Sequence, residues 1–333
     1  MTYNCDGLNN TNTTNLTNTV VESNELSLDN IFFIIINIIL MVFICPGNIL
    51  TIVAVWRTPI LRTVPNMYVV SLAVADLLAG MVLPMQILNF IPALKTTLSV
   101  SKYFCLFRHV TFFVSVTASV ISMVNIAFDR AFYIGYPFKY EMYSTAVKTG
   151  CFITFTWTFS ALLGSIPLYS NNWTPCSNCN IFTVLTKQYQ VDILGTSFIV
   201  CCILTILCYG YILRIAKQQQ SKITEFEMEP SKHRAKEKDL RLVKQFCLVF
   251  GIFFVCWIPA FLSVIIGHHG GYVPPIVTNI VVPIAILNSG MNFIVYAVKN
   301  KEFRHAFAKM LCSKKDNLIG PTVFRVEVES SPF

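Results

Sequence analysis

The chain has 333 residues, a formal net charge of +8, and 54% hydrophobic residues against 13% charged residues. Its mean hydropathy of +0.60 is too high for an ordinary soluble domain, which excludes the soluble classes and indicates a membrane protein. The positive charge is therefore interpreted as membrane topology and attraction to anionic lipids, and not as nucleic-acid binding.

Residues 1–30 form a polar tail that contains no Lys or Arg. The tail carries N-glycosylation sequons at Asn9, Asn12 and Asn15, and a fourth sequon lies at Asn172. The first apolar run is too long and begins too late for a cleavable signal peptide. We expect an extracellular, glycosylated tail.

Seven apolar runs are each long enough to cross a bilayer core, which needs about 20 helical residues. The runs are Ile31–Trp56, Met67–Pro92, Leu106–Phe128, Val147–Tyr169, Val191–Ile215, Leu242–Gly267 and Tyr272–Val298. Helices satisfy their own backbone hydrogen bonds in lipid, and no alternating pattern suggests a barrel. The sequence predicts an all-α membrane protein with a seven-helix transmembrane domain over residues 31–298.

Basic residues in alternate connections between these runs set the orientation. They are Arg57, Arg62, Lys139, Lys148 and those of segment 214–244. The positive-inside rule places these connections in the cytoplasm and the N-terminus outside; Lys95 and Lys102 oppose the pattern but are fewer. The charged segment 217–239 either engages a cytoplasmic partner or is only a solvated connection.

Residues 299–312 predict a short amphipathic eighth helix on the inner leaflet. Phe303, Phe307 and Leu311 fall on one helical face. Cys312 at its end is a candidate for palmitoylation, the alternative being an unmodified terminus. Residues 313–333 are expected to form a cytoplasmic tail.

Most of the 12 cysteines lie within the apolar runs and are interpreted as small buried hydrophobic residues. Cys105, Cys176 and Cys179 differ because they fall at the extracellular side, where disulfides form. A bridge from Cys105 to one of the other two would tie a loop over the bundle, and Cys5 could pair with the remaining one. The sequence leaves this connectivity open.

Asp129 and Arg130 follow Cys105 by about 25 residues, or roughly 37 Å of helix, which places them at the cytoplasmic side. A buried arginine needs a carboxylate, which either Asp129 or Asp239, just before the sixth run, could supply. A salt bridge to Asp239 would hold two helices together and its rupture would release them, as a two-state switch requires. The alternative is a pair of interfacial anchors.

Six of the seven runs contain or end in short motifs, namely "GNIL" at Gly47–Leu50, "LAVADLL" at Leu72–Leu78, the Asp129–Arg130 pair, Trp157, "FFVCWIP" at Phe253–Pro259 and "LNSGMNFIVY" at Leu287–Tyr296. Together, in this order and spacing, they resemble the motifs of rhodopsin-like (class A) G-protein-coupled receptors. The resemblance implies a plasma-membrane receptor that activates a heterotrimeric G protein, with arrestin as a further partner.

The same resemblance assigns roles to individual residues. Asp76 would be the intramembrane carboxylate of a sodium site completed by Ser119, Asn288 and Asn292, the alternative being a hydrogen-bonded cluster without an ion. Trp257 would lie under the ligand pocket with Phe253 below it. Tyr209 and Tyr296 would rearrange near Arg130 on activation, or serve only as packing.

Three positions depart from the family pattern. Ala131 stands where Tyr is expected, Phe293 where the seventh helix has Pro, and Cys201 where the fifth helix has Pro. Without that Pro, the seventh helix is expected to kink less. A decoy receptor that binds ligand without signalling therefore stays open as an alternative.

The candidate pocket residues are mostly apolar, which suits a lipid-like or flat aromatic ligand. They are Gln86, Arg108, His109, Phe112, Phe113, Trp257, Phe261, Val282 and Ile286. Phe112 stands where amine receptors carry Asp, and the seventh run holds no Lys for a retinal Schiff base. Arg108 and His109 could meet an anionic head group, and Gln86 could hydrogen-bond; Arg108 could equally be a snorkelling anchor. The resemblance is loosely to lipid, adenosine and melatonin receptors.

Other function classes lack their signatures in this sequence. A transporter or channel predicts inverted repeats or a polar file through the bundle. An enzyme needs a convergent nucleophile and base or a metal set, and the adjacent His268 and His269 suit neither. We expect no enzymatic activity and no cofactor other than the sodium ion.

Overall fold

The computed structural model describes residues 26–99, 101–174, 179–223 and 230–311, except for the side chains at 96–99, 216–217, 219–223, 230–247 and 275. Its α-helices are α1 Leu28–Arg57, α2 Val64–Leu88, α3 Pro92–Ser99, α4 Lys102–Gly135, α5 Pro137–Tyr143, α6 Ala146–Gly164, α7 Ile166–Tyr169, α8 Ile181–Val184, α9 Thr196–Ile223, α10 Pro230–His268, α11 Pro275–Lys299 and α12 Lys301–Leu311. Seven segments, namely α1, α2, α4, α6 with α7, α9, α10 and α11, are long and apolar enough to cross a membrane. The predicted seven-helix bundle and its eighth helix are confirmed.

The helix ends differ from the predicted ones where hydropathy is a poor guide. The second span ends at Leu88, and Pro92 begins a separate helix because proline is well placed in a first helical turn. α4 continues beyond Arg130 to Gly135, and α10 begins at Pro230, well before the predicted Leu242. The helices thus extend past the predicted apolar runs. The charged segment 217–239, expected to be a connection, begins in the last turns of α9 and ends in the first turns of α10.

α4 lies inside the bundle and positions most of the candidate site. It packs against α2, α6, α9 and α10. Its buried residues include Arg108, Phe113, Ser119 and Arg130, so a single helix carries polar groups from one end of the bundle to the other. The outward faces of α1, α6 and α9 expose large apolar side chains, as lipid contact requires.

The departure at Phe293 is accommodated by small residues on α1 and α11. A Cβ added to Gly47 would lie 2.2 Å from Cδ1 of Phe293, and one added to Gly290 would lie 2.6 Å from the ring of Phe43. The rings of Phe43 and Phe293 meet edge to face at a centroid distance of 5.2 Å. Each aromatic ring therefore occupies the space left by a glycine on the neighbouring helix.

A π-helical turn, Gln188–Gly195, leads into α9. Such wide turns are rare in helices and frequent at functional sites. Tyr189 and Gln190 within this turn are buried, although Lys187 and Gln188 beside them are exposed. The turn therefore directs polar side chains towards the bundle interior.

Candidate functional site

A disulfide between Cys105 and Cys179 closes the end of the bundle at which α4 begins. The bond resolves the connectivity that the sequence left open, while Cys176 and Cys5 lie outside the described residues. Nδ1 of His109 donates a hydrogen bond of 2.8 Å to the carbonyl oxygen of Cys105. The sulfur atoms of Cys105 and Cys179 and a ring nitrogen of His109 lie close enough together for a metal site. The disulfide excludes such a site, because neither sulfur is a free thiolate that could bind a metal.

Arg108 is buried directly beneath this disulfide. Its guanidinium donates to the carbonyl oxygen of Cys179 at 2.7 Å and to Oε1 of Gln86 at 3.3 Å. Only 8% of Arg108 is exposed, so it is not a snorkelling anchor at the bundle surface. A guanidinium has five donors, and these contacts leave some of them for a further acceptor.

Two adjoining cavities open below the loop that carries Cys179. The inner cavity, of about 120 Å³, contains Phe113, Trp257 and Phe261 among its lining residues. The outer cavity, of about 330 Å³, is lined by residues that include Gln86, Arg108, His109 and Ile286. Both share Phe112, Ile181, Thr278 and Val282, so they form one cleft. All nine residues predicted to face a ligand line this cleft.

The polar and apolar linings of the cleft are segregated. Apart from a few hydroxyl groups, Gln190 and Cys201, the inner cavity is lined by apolar side chains. The outer cavity holds two cations, Arg108 and Lys95. Neither cavity has an acidic residue among its described lining. The cleft therefore offers a positive outer part above an apolar inner part.

Aromatic rings connect the floor of the cleft to deeper layers of the bundle. Trp257 lies between Phe112, at a centroid distance of 6.3 Å, and Phe253, at 6.0 Å. Phe253 continues to Phe250, which in turn meets Tyr209, each at 6.3 Å. We call this contiguous series the aromatic column.

Asp76 is fully buried in the middle of the bundle and accepts hydrogen bonds from two other helices. Ser119 donates to its Oδ1 at 3.0 Å and Asn292 to its Oδ2 at 2.5 Å. Oδ1 of Asn288 is buried and has no hydrogen-bond partner among the described residues. Ser119 and Asn292 therefore join Asp76 as expected, whereas no hydrogen bond joins Asn288 to it.

At the opposite end of α4, Asp129 and Arg130 form a buried ion pair. Nε of Arg130 donates to Oδ2 of Asp129 at 3.0 Å, and the hydroxyl of Tyr140, on α5, donates to Oδ1 at 2.9 Å. The guanidinium also lies 5.5 Å from the ring centroid of Tyr133, within cation–π range. Asp129 thus holds both Arg130 and the helix of the following loop.

The other residues predicted for this end are placed less closely. Asp239 belongs to α10, but its side chain is outside the described part of the chain. Tyr209 packs against Phe250, and Tyr296 stacks on Phe303 of α12 at 5.4 Å. Both tyrosines are buried, and these ring contacts place them in the core of the bundle.

Several predicted modification sites fall outside the described residues. They are Asn9, Asn12, Asn15 and Cys312. Asn172 is described and is exposed, and its backbone N–H donates to the carbonyl oxygen of Val184 at 2.8 Å. Its glycosylation stays a prediction.

The sequence alone does not single out Lys95, Tyr140, Gln190 and Thr278. In the sequence, Lys95 only opposes the positive-inside pattern, and Gln190 directly precedes an apolar run, where a polar residue is unremarkable. Only the packing of separate segments brings these side chains to the cleft or to Asp129, so no pattern in the sequence identifies them.

Comparisons with known proteins agree with this architecture. Residues 47–296 match a family model described as 7 transmembrane receptor (rhodopsin family). The chain is 28% identical over 298 residues to sphingosine 1-phosphate receptor 1 of Danio rerio, which covers 86% of this chain and 78% of that receptor. It is 26% identical over 318 residues to adenosine receptor A3 of Canis lupus familiaris, covering 91% and 99%. It is 28% identical over 342 residues to octopamine receptor beta-2R of Drosophila melanogaster, covering 85% of this chain and 62% of that receptor.

Proposed function

This chain belongs to the rhodopsin family of seven-transmembrane receptors, and we propose that it is a plasma-membrane receptor for an anionic amphiphile or anionic flat aromatic molecule. Its N-terminus faces outward, and the bound ligand activates a heterotrimeric G protein. The disulfide between Cys105 and Cys179 supports this orientation because disulfides persist in oxidising, extracellular surroundings. The basic residues of the opposite connections support it independently.

The proposed ligand class rests on one observation. Two cationic side chains line the outer part of the cleft, and no acidic residue is among the described residues that line it. Arg108 suits a phosphate or carboxylate, which accepts charge-assisted hydrogen bonds from a guanidinium. The apolar inner cavity suits the hydrocarbon or aromatic body. The relatives are named for ligands as different as a lipid phosphate, a nucleoside and an amine, so they do not choose among these classes.

An amine ligand is the competing class, and the cleft disfavours it. A buried ammonium group requires an anionic or strongly polar partner. Phe112, at the position where amine receptors carry Asp, lines both cavities with an apolar ring. Arg108 and Lys95 would repel a second cation.

The test uses the full chain in lipid nanodiscs with radiolabelled dodecyl phosphate as the anionic probe and dodecanol as the neutral competitor. Arg108→Gln should weaken dodecyl phosphate binding by about 10- to 100-fold, since it removes charge-assisted hydrogen bonds. Lys102→Gln is the matched control, because Lys102 is exposed and lies outside both cavities. Equal competition by dodecanol, or equal binding by both variants, would contradict the proposed ligand class.

For signalling, we infer that ligand contact with Trp257 is passed along the aromatic column to the cytoplasmic end. There Arg130 leaves its resting carboxylates and meets the G protein, while α10 moves outward. If Asp239 contributes to the resting latch, Asp239→Ala should raise basal nucleotide exchange. Unchanged basal nucleotide exchange at equal surface expression would show that Asp239 does not contribute to the resting latch.

A sodium site at Asp76 fits the residues present. The carboxylate of Asp76, the hydroxyl of Ser119 and the partnerless Oδ1 of Asn288 supply the oxygen atoms that hard cations prefer. Sodium, when bound, would neutralise the buried carboxylate. Sodium chloride should then stabilise the unmodified chain more than potassium chloride at equal ionic strength, and Asp76→Asn should abolish the difference.

A non-signalling decoy receptor is the second candidate, and the packing of Phe293 favours it. Phe293 fits against Gly47 and Phe43 and thereby joins α11 to α1 where a proline would loosen the helix. A decoy would bind dodecyl phosphate with the same dependence on Arg108. It would fail to accelerate nucleotide exchange on any Gα subunit, which separates the two functions.

A further inference from the structure

Gln190 is a buried polar residue at the edge of the inner cavity. It lies in the π-helical turn before α9, with 3% of its surface exposed. Its side chain is one of the few polar groups in a lining dominated by Phe, Val, Ile and Leu residues. A buried carboxamide in such surroundings needs hydrogen-bond partners for both its nitrogen and its oxygen.

The nitrogen of this amide is satisfied by the extracellular loop. Nε2 donates to the carbonyl oxygen of Ile181 at 3.0 Å and to that of Leu185 at 3.1 Å. These two bonds use both hydrogens of the amide. The reversed amide would set its oxygen against two carbonyl oxygens, so the network fixes the orientation.

The oxygen of the same amide lacks a hydrogen-bond partner within the part of the chain that the structure describes. Oε1 of Gln190 is buried and accepts no hydrogen bond from the described residues. Oγ1 of Thr278, which lines both cavities from α11, is likewise buried without a partner. Because Gln190 and Thr278 both line the inner cavity, a hydrogen-bond donor on a ligand that enters this cavity is a candidate partner for either oxygen.

We propose that Gln190, assisted by Thr278, forms a polar subsite that recognises a hydroxyl or amide N–H on the body of the ligand. The inference rests on the proposed function and extends it, because it requires a ligand with three parts. An anionic group meets Arg108, an apolar body fills the inner cavity, and a hydrogen-bond donor between them or beyond them meets Oε1 of Gln190. A purely hydrocarbon tail would leave that oxygen unsatisfied.

The experiment compares dodecyl phosphate with a set of monohydroxylated derivatives, positional isomers of one another that carry the hydroxyl at carbon 3, 6, 9 or 12. Binding to the full chain in nanodiscs is measured for each probe. We expect at least one isomer to bind about fivefold more tightly than dodecyl phosphate, the gain from one net hydrogen bond. This comparison uses the unmodified chain and does not depend on the folding of a variant.

Variants then assign the preference to the subsite. Gln190→Met keeps a similar volume and should reduce the ratio between the affinities of the favoured isomer and dodecyl phosphate to about one, whatever its effect on the affinity of dodecyl phosphate itself. Gln188→Met is the matched control, because Gln188 lies in the same turn but is exposed. A purely structural role of Gln190 would weaken both probes equally and leave their ratio unchanged. Thr278→Val should reduce the ratio without abolishing it.

Two outcomes would overturn the subsite. Either no isomer binds more tightly than dodecyl phosphate, or the advantage persists in Gln190→Met. Both differ from failure of the proposed function, in which dodecyl phosphate itself shows no binding that depends on Arg108.

Discussion

The contact between Gly47 and Phe293 predicts a specific failure when Gly47 is replaced by alanine. The new Cβ would lie 2.2 Å from Cδ1 and 2.4 Å from Cε1 of the Phe293 ring. Carbon atoms in contact are normally about 3.5–4.0 Å apart. The ring would have to retreat, yet Phe43 meets it edge to face on one side.

Overpacking of this kind costs about 1–3 kcal/mol. An alanine in an open helical position instead gains about 0.5–1 kcal/mol over glycine. Gly210 is such a position, since a Cβ there has no heavy atom within 4 Å. The free energy of unfolding of Gly47→Ala should therefore be lower than that of Gly210→Ala by about 1.5–4 kcal/mol, or roughly 3–16 °C in Tm at about 2–4 °C per kcal/mol.

The assay is thermal unfolding of purified chains in nanodiscs, arranged as a double-mutant cycle with Phe293→Ala. Removing the ring makes room for the Cβ, so Gly47→Ala should cost at least 1 kcal/mol less in the Phe293→Ala background. Additive effects, or a Gly47→Ala variant as stable as Gly210→Ala, would show that the two residues do not pack as described.

Three further predictions concern other parts of the bundle. Burial raises the pKa of Tyr140 to about 12, so the stability that its neutral hydroxyl contributes is complete below about pH 10 and is lost as the pH rises towards 12. Tyr140→Phe should therefore flatten the pH dependence of the unfolding free energy between about pH 10 and 12. An unchanged pH dependence would contradict this prediction. Phe253→Ala should lower the free energy of unfolding by about 3–5 kcal/mol because its ring is fully buried. Phe128→Ala should cost much less, since the Phe128 ring is exposed on the outside of the bundle. Equal costs would show that the aromatic column is not part of the packed core. Replacing both Cys105 and Cys179 by serine removes a link between residues that are 74 positions apart. The free energy of unfolding should fall by about 4 kcal/mol, and Tm should fall with it. An unchanged Tm would count against the disulfide.

The sequence predicted the parts of the fold that follow from local patterns. The seven spans and the eighth helix depend on hydropathy and on the position of each residue along its helix. The resemblance to class A receptors, and not hydropathy, pointed to pocket residues such as Phe112 and Trp257, which line the cleft. Helix ends were less accurate, because α4 and α10 extend past the membrane into charged segments that hydropathy reads as loops.

Contacts between distant segments could not be predicted. The fit of Phe293 against Gly47 depends on how closely the first and last spans approach each other. The amino-acid composition does not indicate this distance. The choice of Cys179 over Cys176 depends on the path of a loop. Gln190 became a candidate only when its nitrogen was seen to bond the carbonyl oxygens of that same loop.

We propose that ligand binding in the cleft activates a G protein through Arg130. The most direct measurement is GTPγS binding to a panel of purified Gα subunits with Gβγ, driven by the full chain in nanodiscs with and without dodecyl phosphate. The account predicts that dodecyl phosphate accelerates exchange on at least one Gα subunit, and that Arg130→Ala abolishes this acceleration without reducing probe binding. Probe binding that accelerates no Gα subunit, or acceleration that survives in Arg130→Ala, would contradict it.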